Sequence, residues 1–235
     1  MDEHAGTVAA LWRYPVKSLR GERLEALPLE PRGPVGDRLW ALVDEDGKIA
    51  SGKDSRRFRR VPDLLRHASR CDHGVPVLEL ADGRAVRADE PALAAAVAAL
   101  AGPGWRLARE RSVRHHDAAP VHVVTTATLA ALTRPTGGVV EPDRLRPNIL
   151  LDAGAEPGFP EDGWIGRRLA VGDAVLRIVE RTERCVMTTH AQAGLPHRPR
   201  VLKGIGRANE ACAGVYAEVL TPGTVRAGDA ARLLP

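Results

Sequence analysis

Residues 168–189 read RLAVGDAVLRIVERTERCVMTT. Two short apolar runs, Arg168 to Val171 and Ala174 to Val179, flank the pair Gly172-Asp173. A two-residue link of this composition predicts a tight hairpin, because glycine takes the positive φ such a turn demands. Working outward, the same grammar recurs. Val77 to Leu80 and Ala85 to Arg87 flank Ala81-Asp82-Gly83-Arg84, and Leu39 to Val43 runs into Asp44-Glu45-Asp46-Gly47. Thr7 to Tyr14, Val121 to Val124, Asn148 to Asp152 and Gly214 to Leu220 complete the strand-like segments. Helices are few. Asp89-Glu90-Pro91 predicts a helix to about Leu100, with Asp89 as N-cap, and Thr125 predicts a second cap for Thr126 to Thr133. Many short strands with few helices predict a mainly β (α+β) chain built around a β-barrel, with a smaller β-rich N-terminal domain.

The stretch Arg106 to Pro120 is polar, basic and without periodicity, which predicts a division into domains 4–112 and 118–235. Hydrophobic residues at 44% and charged residues at 27% are ordinary for a folded chain. The net charge of +4 is too small at this length to argue for nucleic acid, and four Trp, two Tyr and two Phe make a poor platform for stacking bases. Met1-Asp2-Glu3-His4 lacks a secretory pattern, and no apolar run reaches a membrane span, so no membrane association is expected. The cysteines Cys71, Cys185 and Cys212 are odd in number and have no CxxC spacing, which argues against a disulfide framework and an iron–sulfur cluster. A cytoplasmic setting fits these features best.

The stretch 168–189 also holds a candidate chemical group near its end. Cys185 follows Arg184 and precedes Thr188-Thr189, and adjacent positive charge favours the thiolate form that attacks or binds metal. Taken alone, Cys185 reads first as a small buried hydrophobe beside an ion-pairing arginine, and the local sequence does not overturn that reading. Anion-holding candidates lie elsewhere: Lys17 and Ser18 at the end of the first strand, Arg38 before the second, Lys53 in the loop Ser51-Gly52-Lys53-Asp54, and Arg146 and Asn148 either side of Pro147. Each is also an ordinary surface group; together they supply charged forks and amide donors for a phosphate or a polar heterocycle. His115-His116 has no partner at metal-ligand spacing, and HExxH, GxSxG and phosphate-loop patterns are absent.

The ordered series Tyr14-Pro15-Val16-Lys17-Ser18, Gly36-Asp37-Arg38, Arg146-Pro147-Asn148, Glu161-Asp162-Gly163-Trp164, Arg184-Cys185 and Pro222-Gly223 resembles the MOSC family, named after the C-terminal domain of molybdenum-cofactor sulfurases. The N-terminal half resembles the β-barrel domain that precedes MOSC in amidoxime-reducing components and their bacterial relatives. The resemblance spans essentially the whole chain. It implies a molybdenum cofactor with Cys185 as the protein ligand to the metal, and cofactor contacts at Lys17, Ser18, Arg38, Arg146, Asn148, Arg184 and Tyr216. Thr125 and Thr128, which match positions where the family has serines, are likewise expected to contact the cofactor. Lys53 stands where relatives often carry arginine, so it brings the charge without the fork.

The activity so implied is reduction of small N-hydroxylated or N-oxygenated compounds, with electrons from a separate donor, a ferredoxin or a flavoprotein reductase. No cysteine cluster for a fused ferredoxin is present, and pyridoxal phosphate has no domain to hold it. The alternatives are a cofactor carrier or sulfur-transfer protein acting through Cys185, and a non-catalytic β-rich binding module.

Overall fold

The computed structural model describes residues 2–112, 114–154 and 156–235. It is mainly β, as the turn grammar predicts. Seven strands close a barrel in the order Ile149–Asp152, Val121–Thr125, Cys212–Thr221, Ala174–Glu183, Arg168–Val171, Ala230–Leu234 and Glu3–Arg13, the last pairing back onto the first. The Gly172-Asp173 hairpin forms, with Arg168 opposite Arg177 and Val171 opposite Ala174. Val121–Thr125 and Ile149–Asp152 are parallel, and a parallel pair needs a crossover, here carried by the helix Thr126–Thr136. The barrel interior is aliphatic: Leu11, Val121, Val123, Ile149, Leu169, Leu176, Ile178 and Val215 are all buried.

The strand Ala174–Glu183 carries register irregularities between Val175 and Leu176, between Ile178 and Glu180, and between Arg181 and Glu183. Irregularities of this kind bend a strand and re-aim the residues beyond it. Cys185 lies just past the end of this strand.

A second body packs against the barrel. It contains the sheet of Arg106–Arg109, Trp40–Val43, Ile49–Ser51 and Phe58–Arg60, the hairpins of Ala68–Asp72, Val75–Glu79 and Ala85–Arg87, and the helix Leu93–Ala101. Val16, Leu19, Leu42, Leu78, Val97 and Leu100 share its core.

Four details differ from the sequence-based expectation. The helix after Pro91 begins at Leu93 behind Ala92, with no side-chain cap; Asp89 is held instead by the Arg87 guanidinium at 3.1 Å. The basic stretch expected to be irregular contains the strand Arg106–Arg109, which Trp40–Val43 pairs along its whole length. A further helix, Arg200–Asn209, forms where none was expected. Sheet pairing also crosses the division expected at 112–118: Glu3–Arg13 is a barrel stave, and Gly223–Arg226 pairs with Ala26–Glu30. Among the described residues, no helix is long and apolar enough to cross a membrane.

Candidate functional site

Between the barrel and the second body lies a cleft lined by residues of both. Nine of the residues singled out from sequence line it: Lys17, Ser18, Arg38, Lys53, Arg146, Asn148, Arg184, Cys185 and Tyr216. They come from six separate segments of the chain, which is why no local pattern gathers them. Five are cations, and the carboxylates on the same wall are Asp117 and Glu183.

The backbone is unusual here. Ser18, Arg38 and Arg146 all have positive φ, at 67°, 47° and 56°. Residues with a Cβ are rarely held in this region, and such strain persists where surrounding structure over-determines it, commonly at ligand sites. Arg146 takes this conformation at the end of the short helix Pro142–Leu145, where the αL residue closes the turn and its N–H bonds Pro142 O.

Tyr14 lies beneath two of the cations. The Arg146 guanidinium stands 4.4 Å from its ring centre and that of Arg38 4.7 Å, cation–π distances at which both cations meet the electron-rich π system of a neutral ring. The Tyr14 hydroxyl donates to Pro147 O at 3.0 Å, and burial pushes it far above the usual phenol range. Asn148 is fully buried and works as a knot. Its Nδ2 donates to Trp12 O at 3.3 Å and to Asp37 Oδ1 at 3.2 Å, while its Oδ1 accepts from His122 N at 3.1 Å and from Arg38 Nη1 at 3.4 Å. Asp37 ion-pairs with Arg38 in turn. Burial works against the Arg38 charge, but Asp37 and Tyr14 outweigh it and hold the guanidinium firmly protonated.

Burial lowers Arg146 to about 10 and also lowers Arg184. Neither has a carboxylate within ion-pairing distance among the described residues. Arg184 Nη2 donates to Leu145 O at 2.6 Å, but its Nε and Arg146 Nη1 are buried without any partner. Lys17 is lowered to about 8 by burial, against the opposing pull of Asp117, whose Oδ1 accepts from its Nζ at 2.7 Å. Burial pushes the Asp117 carboxyl up, and the Lys17 charge and hydrogen bond more than reverse it, holding it well below the carboxylate range. Lys17 and Lys53 also flank the Phe58 ring, at 5.4 Å and 5.6 Å.

Cys185 is half-buried and unpaired. It leaves the end of the bent strand and opens the short helical turn Val186–Thr189. The two threonines noted in the sequence hold that turn. Thr188 Oγ1 donates to Cys185 O at 2.9 Å, and Thr189 Oγ1 donates to Val186 O at 2.7 Å. Tyr216, register partner of His122, packs against that ring with centroids 5.5 Å apart and planes tilted by 49°. Burial, followed by the charge of Arg184, keeps His122 neutral.

Two residues do not reach the cleft. Thr125 and Thr128 turn to the buried Glu161, donating to its two carboxylate oxygens at 2.8 Å and 2.6 Å, and Thr125 Oγ1 accepts from Thr128 N as the helix cap. Their expected contact with a cofactor is replaced by a structural one: a hydroxyl beside a buried carboxylate is drawn to it. Arg144 was not visible in the sequence. It is fully buried, pairs with Glu141 at 2.7 Å, and donates to Thr188 O, His190 O and Pro196 O at 3.5, 3.4 and 2.8 Å. It therefore ties the segment that carries Cys185 to the one that carries Arg146.

Among the described residues, no group of three or more His, Cys, Asp or Glu side chains is placed to hold a metal ion. A metal here would have to bring most of its ligands with it, and the wall offers one thiol and an excess of positive charge.

The chain is similar to a set of known proteins. It is 26% identical to mitochondrial amidoxime-reducing component 1 from Mus musculus, over 99% of this chain and 83% of the relative. It is also 26% identical to mitochondrial amidoxime reducing component 2 from Rattus norvegicus, over 80% of this chain and 67% of the relative. The crystal structure of the YUAD protein from Bacillus subtilis shares the fold, with a TM-score of 0.56 at 14% identity over 99% of this chain and 98% of that one. The model of the MOSC N-terminal beta barrel domain matches residues 5–106, and that of the MOSC domain matches residues 110–232. With more than half of its length inside that second match, and the barrel and cleft described above, the chain belongs to the MOSC domain family.

Proposed function

We propose that this chain holds a molybdenum cofactor in the cleft and reduces N-hydroxylated compounds with electrons from a separate protein. The mouse and rat relatives are amidoxime-reducing components by name, and the residues of the cleft fit the cofactor such an activity requires. The observation that carries the reading is the pair of buried, unpartnered guanidinium nitrogens, Arg146 Nη1 and Arg184 Nε, on a wall shared with Cys185. Buried donors are rarely left unsatisfied unless a ligand completes them. Cys185 would ligate the metal, a soft thiolate suiting a metal already bound by sulfur. Lys17, Ser18, Arg38, Lys53, Arg146 and Arg184 would hold the anionic pterin. When bound, the group supplies the two-electron chemistry that removes oxygen from nitrogen.

The chain's own residues then have definable tasks. Asn148 and Asp37 fix the Arg38 fork, and Tyr14 keeps Arg38 and Arg146 side by side. Thr188, Thr189 and Arg144 hold the cysteine turn in one conformation, the supporting contact a metal ligand needs. Lys17 Nζ carries a proton at neutral pH, and Asp117 links it to solvent, its side chain being 55% exposed. With its value near 8, Lys17 would be the group on this wall able to give up a proton, and Asp117 would hold it in place.

The test is elemental analysis for molybdenum on chain expressed where the cofactor is made, together with reduction of an aryl amidoxime driven by a reduced viologen dye. Wild type retains molybdenum and turns over, and Cys185→Ser loses turnover while keeping its fold. Absence of molybdenum from the wild type overturns the reading. Molybdenum without turnover moves it to cofactor carriage.

A further inference from the structure

On the far side of the cysteine turn lies a feature the cleft does not use. The helix Arg200–Asn209 buries Val201, Gly204 and Ile205 and exposes Arg200, Lys203 and Arg207. The spacing i, i+3, i+7 puts the three cations on one stripe. The neighbouring helix Thr126–Thr136 adds exposed Arg134, because the two helices cross closely. At the crossing, a Cβ on residue 204 would stand 2.7 Å from the Pro135 carbonyl oxygen. Arg134, Arg200, Lys203 and Arg207 together rim one shallow concavity.

These charges have no ion-pair partners among the described residues, and two of them, Arg200 and Lys203, sit where the helix does not favour a cation. Among the described residues none of the four has a carboxylate within 4.0 Å, whereas other arginines such as Arg87, Arg144 and Arg181 do. Lys203 and Arg207 are like charges four residues apart, which weakens a helix. Arg200 occupies the first helical position, where the helix dipole disfavours a cation. A stripe of unpaired charge of one sign with no internal partner suits an external surface of opposite sign.

Its place in the fold matters as much as its charge. The same helix packs its inner face on the turn Val186–Thr189 beyond Cys185, and its approach is fixed by Arg198 N donating to Thr189 O at 2.8 Å. We propose that Arg134, Arg200, Lys203 and Arg207 form the docking surface for an acidic redox protein, which delivers electrons to the site through the back of the cysteine turn and leaves the cleft mouth free for substrate. This rests on the function proposed above and adds the partner's chemistry and its place of contact.

The experiment compares Lys203→Glu/Arg207→Glu with Arg106→Glu/Arg109→Glu, an equal reversal at exposed arginines of the second body. The probe is an acidic plant-type ferredoxin, read by titration at low and high salt and by ferredoxin-driven amidoxime turnover. The helix variant is expected to lose roughly tenfold or more in affinity at low salt and much of its salt dependence. The control keeps both, and viologen-driven turnover is the same in both variants and in wild type. Equal loss in the two variants, or none in either, overturns the docking surface. So does capture of phosphatidylglycerol vesicles or RNA by the stripe without ferredoxin binding. Because the titration needs no turnover, it reports on the surface even where the wild type carries no molybdenum, so the two proposals fail separately.

Discussion

Arg144 Nη2 donates to the carbonyl oxygen of Pro196 at 2.8 Å from a side chain with no exposed surface. A buried guanidinium spent on backbone carbonyls organises the loop it reaches rather than a ligand. Its other bonds go to Thr188 O and His190 O, on the chain just beyond Cys185.

Replacing Arg144 with alanine removes all of these donors, strands three carbonyls and leaves Glu141 only its longer pairing with Arg198 at 3.6 Å. Removing one partner of a buried pair costs about 3 kcal/mol, with the partial exposure of Glu141 reducing the share owed to the ion pair. Urea denaturation of Arg144→Ala is expected to show that loss. Iodoacetamide should modify Cys185 faster in this variant than in wild type under native conditions. Unchanged alkylation would show that the turn holds its shape without the clamp.

Lys17 gives a pH prediction whose two readouts move oppositely. Burial sets its folded value near 8, below the ordinary 10.5. Below about pH 8 the ammonium is charged and adds to anion binding; above it that contribution is lost. Sulfate, whose own charge is constant over this range, is therefore expected to bind the cleft more weakly as pH rises through 8, and Lys17→Gln to bind weakly throughout. Stability runs the other way. A depressed folded pKa means the unfolded state holds the proton more tightly, so this group's contribution improves as pH rises from about 8 to 10.5. Sulfate affinity that is flat across pH 8 would exclude Lys17 from the anion site.

Glu161 reverses the usual carboxylate behaviour. Burial raises it, and the hydrogen bonds from Thr128 and Thr125 only partly offset this. A folded pKa above the unfolded one means the contribution to stability is complete below the ordinary carboxylate value of 4.5 and is lost as pH climbs through the raised one. Thermal melts across the acid range should show wild type losing stability relative to Glu161→Gln as pH increases. A constant difference between the two proteins would mean that Glu161 titrates alike in the folded and unfolded states and that burial does not raise it.

These contrasts explain how much was legible in the chain beforehand. The Gly172-Asp173 hairpin and the Thr125 cap depend on local chemistry, so both formed where the residues indicated. Cys185, Lys17, Arg38 and Arg146 were found through their order along the chain, because the spatial proximity of distant segments leaves no local signal. Thr125 and Thr128 lie beside the site in sequence but face away from it, since their hydroxyls are committed to Glu161. Arg144 was invisible for the opposite reason: nothing in its neighbours distinguishes a fully buried arginine from the many at the surface. The helix Arg200–Asn209 was obscured by Pro196 and Pro199 before it and by Gly204 and Gly206 within it, residues that read as loop. Its apolar positions, Val201, Leu202, Ile205 and Ala208, keep to the helical period only when the glycines are taken as packing positions.

Gly204 tests that interpretation. Glycine inside a helix normally costs about 0.5–1 kcal/mol relative to alanine, so Gly204→Ala on an isolated helix is stabilising. Here the added methyl would lie 2.7 Å from the Pro135 carbonyl oxygen and 2.7 Å from Thr136 Cγ2. The first neighbour is backbone, inside a helix that Pro135 itself constrains, and cannot rotate aside. Forcing an extra methyl into such a contact costs roughly 1–3 kcal/mol, more than the propensity gain at most of that range. Gly204→Ala is therefore expected to lower stability, while Gly206→Ala, with open space around its Cβ position, raises it slightly. Guanidinium denaturation of the two variants side by side decides the matter. If Gly204→Ala gains stability as Gly206→Ala does, the helices have room to move apart, and the placement of Arg134 beside the Arg200–Arg207 stripe is not fixed by this crossing.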